Sequence, residues 1–152
     1  MKKAMLCMAL AVCMVFMLVG CNSSVGYTFT VDTGDEIKIQ LDTTDGYSFD
    51  ASSPFVISCE DGVLSQGLFI AASDYHEYKE LVSDTATVAA TVLENGEKDG
   101  HEYIMWKFDD GESQEWNYAV LVTENTAVLV GNNISEETAR ACFDRLTFSV
   151  ED

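Results

Sequence analysis

From Tyr27 onward the chain alternates. Tyr27, Phe29 and Val31 are separated by Thr28, Thr30 and Asp32. Beyond the turn Asp32-Thr33-Gly34-Asp35, the residues Ile37, Ile39 and Leu41 are separated by Lys38, Gln40 and Asp42. A period of two gives one face to a core and the other to water, so the pattern predicts a β-hairpin. Asp45-Gly46 marks another turn. Tyr47 and Phe49 read as a short strand, and Phe55 to Cys59 and Leu68 to Ala72 as two more joined at Asp61-Gly62. The period then lengthens. Ser73 or Asp74 can cap a helix, Glu77 stands at capping-box distance from Asp74, and Tyr75, Tyr78, Leu81 and Val82 recur at helical intervals. The spacing predicts a short helix over 74–83.

Thr85 to Leu93 returns to strand, and Asn95-Gly96 and Asp99-Gly100 punctuate a turn. Glu102 to Phe108 is a strand with Ile104, Trp106 and Phe108 on one face; Asp110-Gly111 turns the chain. Trp116 to Val122 and Thr126 to Val130 form a last apolar pair. A second helix follows. Ser135 is its N-cap, Glu136 and Glu137 lie where the helix dipole favours anions, and Arg140 and Arg145 come later. Ala139, Cys142, Phe143 and Leu146 make its apolar stripe, although Thr138 stands where Glu or Gln would close a capping box. A short strand, Thr147 to Val150, ends the pattern. Most turns are too short for parallel crossovers, so the fold class expected is α+β: a mainly antiparallel β-sheet with two short helices packed on it. The alternative is an all-β sandwich with peripheral helices. The late hairpin 116–130, the helix 135–145 and the closing strand 146–150 together resemble the element order of the PsbP/Mog1-like family. That resemblance implies an antiparallel sheet flanked by helices and a binding or accessory role, and it transfers no functional residue.

The first 21 residues follow a different rule. Lys2 and Lys3 precede an uncharged apolar run from Ala4 to Val19, shorter than the roughly 20 residues a membrane span needs. The run ends in Leu18-Val19-Gly20-Cys21. This resembles the lipobox of bacterial lipoproteins, which implies cleavage before Cys21 and diacylation of its sulfur. The expected organisation is therefore a signal peptide over 1–20, a lipidated tether over 21–26 and one β-rich globular domain over 27–152. Two or three acyl chains hold a protein far better than one, at about 0.8 kcal/mol per buried CH₂. The expected location is the extracytoplasmic face of a cell membrane, with the lipid anchor as the membrane contact.

Charge narrows the partners. All 26 acidic residues lie after Cys21, against six basic ones, a balance of −20. Nucleic acid binding rests on Lys and Arg neutralising phosphates, so a nucleic acid partner is not expected. Nor should the domain lie flat on anionic lipid. Solubility accounts for the acidity most simply, and basic partners or cations are the functional reading.

Candidate chemistry is sparse. Cys7 and Cys13 leave with the signal, and Cys21 is consumed by lipid, so only Cys59 and Cys142 can pair as a disulfide. The other reading is two free thiols acting as small hydrophobes. Glu60 and Asp61 beside Cys59 oppose a reactive thiolate, and Cys142 falls on the apolar helix stripe. His76 and His101 lack a second ligand at zinc spacing and read as surface residues. Ser65, between Leu64 and Gln66, is not a nucleophile elbow. Asp109-Asp110-Gly111-Glu112 and Asp42-Thr43-Thr44-Asp45-Gly46 resemble pieces of calcium loops without the full ligand spacing. Trp106, Trp116, Tyr103 and Tyr118 cluster in the late strands; alternation assigns them to core packing, and the other reading is a sugar or peptide platform, which needs several of them on one exposed face. No catalytic residue, metal ligand or cofactor is expected. The reading is a non-enzymatic binding or accessory module for an envelope protein or an extracellular ligand. The alternatives are a carboxylate-dependent hydrolase of cell-wall or glycan material, with two carboxylates across one cleft, and a weak cation-binding surface protein.

Overall fold

A computed structural model describes residues 23–60, 62–84 and 89–151. The expected signal peptide, Cys21, Asn22, Asp61 and the start of the strand expected from Thr85 lie outside the described residues.

The expected hairpin forms from β1 (Ser24–Thr30) and β2 (Glu36–Asp42), with Tyr27 opposite Ile39 and Phe29 opposite Ile37. The apolar positions of β2 are completely buried. β1 starts earlier than alternation suggested. Ser24, Val25 and Gly26, expected in the tether, pair with Asp42, Leu41 and Gln40. Their ladder hydrogen bonds outweigh a sequence that looks like linker.

A 3-10 turn (Thr44–Gly46) leads to β3 (Tyr47–Asp50), β4 (Phe55–Cys59) and β5 (Gly62–Ala71). β5 is longer than the expected 68–72 because its first half, Gly62 to Gln66, pairs with β4 across a bulge at Ile57/Ser58. Helix α1 (Ala72–Ser83) follows without a loop. No side chain caps it, contrary to the Asp74/Glu77 expectation. The Ala72 amide donates instead to Asn125 O at 2.9 Å, so a neighbouring turn satisfies one of the donors a helix start leaves free.

The chain continues through β6 (Ala90–Lys98), β7 (His101–Asp109), β8 (Gln114–Leu121) and β9 (Thr126–Asn132). It closes with α2 (Glu136–Arg145) and β10 (Leu146–Val150). Asn95-Gly96, expected in a turn, lies inside β6. The turn is made by Asp99 and Gly100 alone, both with positive φ (53° and 82°), which suits a tight hairpin. Ser135 caps α2 as expected, its Oγ accepting from Thr138 N at 3.0 Å.

The strands form two antiparallel sheets, one in the order β1-β2-β10 and one in the order β3-β4-β5-β9-β8-β7-β6. The fold is α+β, mainly antiparallel sheet with two helices. The layers follow from which side chains touch. On one face of the seven-stranded sheet, Phe55, Met105, Tyr118, Val120 and Val128 pack against Ile37, Ile39 and Phe148 of the small sheet and Phe143 of α2. On the other face, Ile104, Trp106, Ala119 and Ala127 pack against Tyr75 and Val82 of α1. No helix among the described residues is long and apolar enough to cross a membrane.

Candidate binding groove

The face of the large sheet that carries α1 is only partly covered. A helix of 12 residues is about 18 Å long and 10 Å wide, whereas seven strands spaced about 4.8 Å apart are broader. Strand register assigns the side chains left open. Gln66 lies opposite Gly131, Gly131 opposite Asn117, Asn117 opposite Trp106 and Trp106 opposite Val92. The adjoining row places Leu68 opposite Leu129 and Leu129 opposite Ala119.

Two hollows occupy this face and share Glu115, Asn117 and Leu129. One, of about 340 Å³, is walled by Tyr78, Leu81 and Val82 of α1 and by Trp106 and Phe108 of β7. The other, of about 370 Å³, reaches Val63, Leu68, Gln66 and Asn133. The two hollows adjoin across these shared residues and together make up a groove beside the helix. Tyr78 stacks on Trp106 with ring centroids 5.9 Å apart and planes 25° from parallel. Tyr78, Leu81 and Leu68 are large apolar side chains left exposed, at 38%, 45% and 43%. At the floor, Gly131 leaves room for the Asn117 side chain; a Cβ there would fall 2.3 Å from Asn117 Oδ1.

The helix that forms the wall is anchored. Tyr75 donates to Glu102 Oε1 at 3.0 Å, and Lys79 pairs with the same oxygen. The Lys79 ammonium holds the Glu102 carboxyl below its usual range, and burial pushes the Tyr75 hydroxyl well up. Further along the sheet, Tyr103 and Arg140 converge on Glu94. The Glu94 carboxylate raises the Tyr103 hydroxyl to about 12.

The residues singled out in the sequence are dispersed. Cys59 and Cys142 are both free thiols, so the disulfide that compartment and count allowed is not formed. Cys59 is half-buried with its Sγ 3.6 Å from Asp45 O, and Cys142 is fully buried, which pushes its thiol up. His76 is exposed on α1, edge-on to Tyr75; His101 is half-buried at the start of β7. Trp106 and Trp116 fall on opposite faces of the sheet. Trp106 is 5% exposed, and Trp116 is half-buried beneath the Lys107 ammonium, 5.6 Å from its ring centroid. Core packing therefore describes Trp106, Tyr103 and Tyr118.

The acidic segments that resembled calcium loops spend their oxygens on turns. Asp109 accepts from Gly111 N, Lys107 and Gln114, and Asp110 Oδ1 accepts from Glu112 N and Ser113 N. Asp42 accepts from Thr44 N, and Asp45 pairs with Arg145. Among the described residues, no three His, Cys, Asp or Glu side chains converge as a metal would require.

The groove residues Asn117, Gly131 and Gln66 went unread in the sequence, and Tyr78 and Leu81, read there as part of the helix's apolar stripe, are exposed at its edge. One signal was available: β5 puts Leu68 and Ile70 on the same face as polar Gln66, and β7 is apolar on both faces. Strands apolar on both faces imply cover on both faces, and one short helix is too little of it. Compared with protein-family models, curated proteins and solved structures, the chain matches none.

Proposed function

We propose that this chain is a lipid-anchored lipoprotein of the extracytoplasmic face of a bacterial membrane, and that it is a non-enzymatic binding module for an envelope protein or an extracellular ligand. The observation that carries the binding reading is the groove, where exposed Tyr78, Leu81 and Leu68 border a floor of Asn117 and Gln66. Apolar walls with a few polar groups are what ligand sites share. The sequence Leu18-Val19-Gly20-Cys21 supports the anchor. From Cys21 to the start of β1 at Ser24 the chain spans at most about 11 Å, which keeps the small sheet near the acyl chains. The groove lies on the opposite face of the large sheet from that small sheet, which supports its being open to a partner. The likeness to the PsbP/Mog1-like family belongs to the same proposal, and α2 followed directly by β10 supports it.

Metabolic labelling with a palmitate analogue tests the anchor. The chain should be labelled, and Cys21→Ala should leave the membrane fraction; an unlabelled chain, or a variant that stays with membranes, overturns it. Pull-down of the acylated protein tests the groove. Leu81→Ser, at an exposed position, should reduce recovery of any stoichiometric partner, and undiminished recovery removes the groove from the proposal.

A further inference from the structure

Cations and carboxylates are unevenly matched across this molecule. Lys38, Lys79, Lys107, Arg140 and Arg145 all stand in ion pairs with carboxylates that do not line the groove, and Lys98 lies over the Phe143 ring. The groove margin carries the opposite sign. Glu115 lines both hollows, and Asp74 and Glu77 border a third one that shares Tyr78 and Leu81. Among the described residues, none of these three carboxylates is in an ion pair, and the Gln66 and Asn117 amides make no hydrogen bond. A partner that brings positive charge, an apolar group for the Tyr78–Trp106 wall, and groups that both donate and accept complements this margin.

A peptide main chain supplies that last requirement. Each residue offers one N–H and one C=O, which matches the paired donor and acceptor of a side-chain amide. We propose that the groove binds an extended, cationic peptide segment. One bulky apolar side chain lodges against Tyr78, Leu81 and Trp106. The peptide backbone lies on Asn117 and Gln66, and flanking Lys or Arg side chains face Asp74, Glu77 and Glu115. Gly131 matters here because the absence of a side chain lets Asn117 lie low across the floor.

The inference deepens the binding reading above and rests on it. Calorimetry on the acylated chain in zwitterionic nanodiscs tests it, with empty nanodiscs as the control. The probes are three synthetic nonapeptides: Lys alternating with Leu, Glu alternating with Leu, and Lys alternating with Ser. Only the Lys/Leu peptide should bind, and more weakly as salt rises. Glu77→Gln combined with Glu115→Gln should weaken it about fivefold, and Leu81→Ser about tenfold. Circular dichroism of each variant confirms that its fold is kept. Equal binding of the Lys/Leu and Glu/Leu peptides, both lost in Leu81→Ser, overturns the cationic class and leaves the groove. Binding of Lys/Leu that neither variant changes places the site elsewhere and overturns the inference, as does no binding at all. In that last case, a native partner still lost in Leu81→Ser would leave the groove itself standing.

Discussion

The ring tip of Phe55 occupies the space that a side chain at position 67 would need. A Cβ built on Gly67, its cross-strand partner, would fall 1.9 Å from Phe55 Cζ. Phe55 is fully buried and packs edge-on against Phe49 and Phe69, so the ring has no free direction in which to move. Gly67→Ala should therefore cost about 3 kcal/mol in urea unfolding, at the upper end for overpacking. Phe55→Leu removes the ring tip. The double variant should be more stable than the sum of the two losses by at least about 1 kcal/mol. Strict additivity would mean that the ring and the glycine are not coupled.

Legibility varied with the kind of signal. The β1–β2 hairpin and the capped helix α2 were readable because their information is local: Ile37, Ile39 and Leu41 alternate, and Ser135 sits three residues before the amide it accepts from. The division into two sheets was not readable. It depends on β10 crossing to pair with β2, with Phe148 opposite Ile39, a contact between residues far apart in sequence. Asn95-Gly96 misled for a physical reason. Asn-Gly favours a turn, but Gly96 here faces the Tyr103 ring across the ladder, where a Cβ would come within 3.4 Å of it. The groove was hidden for a similar reason. Asn117 and Gly131 meet only through register, and neither residue is unusual on its own strand.

Asp35 joins the turn between β1 and β2 to the turn between β8 and β9. Its Oδ2 accepts from Thr123 at 2.5 Å, Thr126 at 2.7 Å and Thr33 at 3.4 Å. The Thr123 and Thr126 hydroxyls hold the carboxyl below its usual range. A folded-state pKa below the unfolded one contributes stability that is present above the usual carboxylate range and lost as pH falls through the folded value. Asp35→Asn should cost about 1.5 kcal/mol at pH 7, the lower end for hydrogen bonds to a charged group, because the site is half-buried. The variant should also lose less stability than the parent on acidification below about pH 4, near the unfolded carboxylate pKa. Parallel stability curves for the two proteins would show that the carboxylate is not what the hydroxyls stabilise.

The two thiols should separate cleanly by reactivity. Cys142 has no exposed surface and sits among Ala139, Phe143 and the strands beneath α2, whereas Cys59 lies at the half-buried end of β4. In the native protein, iodoacetamide should label Cys59 first. Cys142 should react more than about 100-fold more slowly, because it waits for the helix to leave the sheet. Peptide mapping after a time course measures both rates. Comparable rates would mean that α2 opens easily.

Arg145 is the last residue of α2 and clasps the link between the two sheets. Its guanidinium lies 3.9 Å from the Tyr47 ring centroid, donates to Thr44 O and Thr44 Oγ1 at 3.0 Å, and reaches Asp45 Oδ2 at 2.8 Å. A planar fork does all of this at once. A lysine ammonium can approach the ring or the oxygens but does not span them. Arg145→Lys should therefore cost about 1–2 kcal/mol despite keeping the charge. Arg140 is the control. Its side chain is 37% exposed against 19% for Arg145, and it meets Glu94 and Glu136 and, among the described residues, stacks on no ring. Arg140→Lys should cost less than about 0.5 kcal/mol, as expected of surface pairs. Urea unfolding of both variants decides it. If position 145 tolerates lysine as well as position 140 does, then charge alone holds the end of α2 against the 3-10 turn.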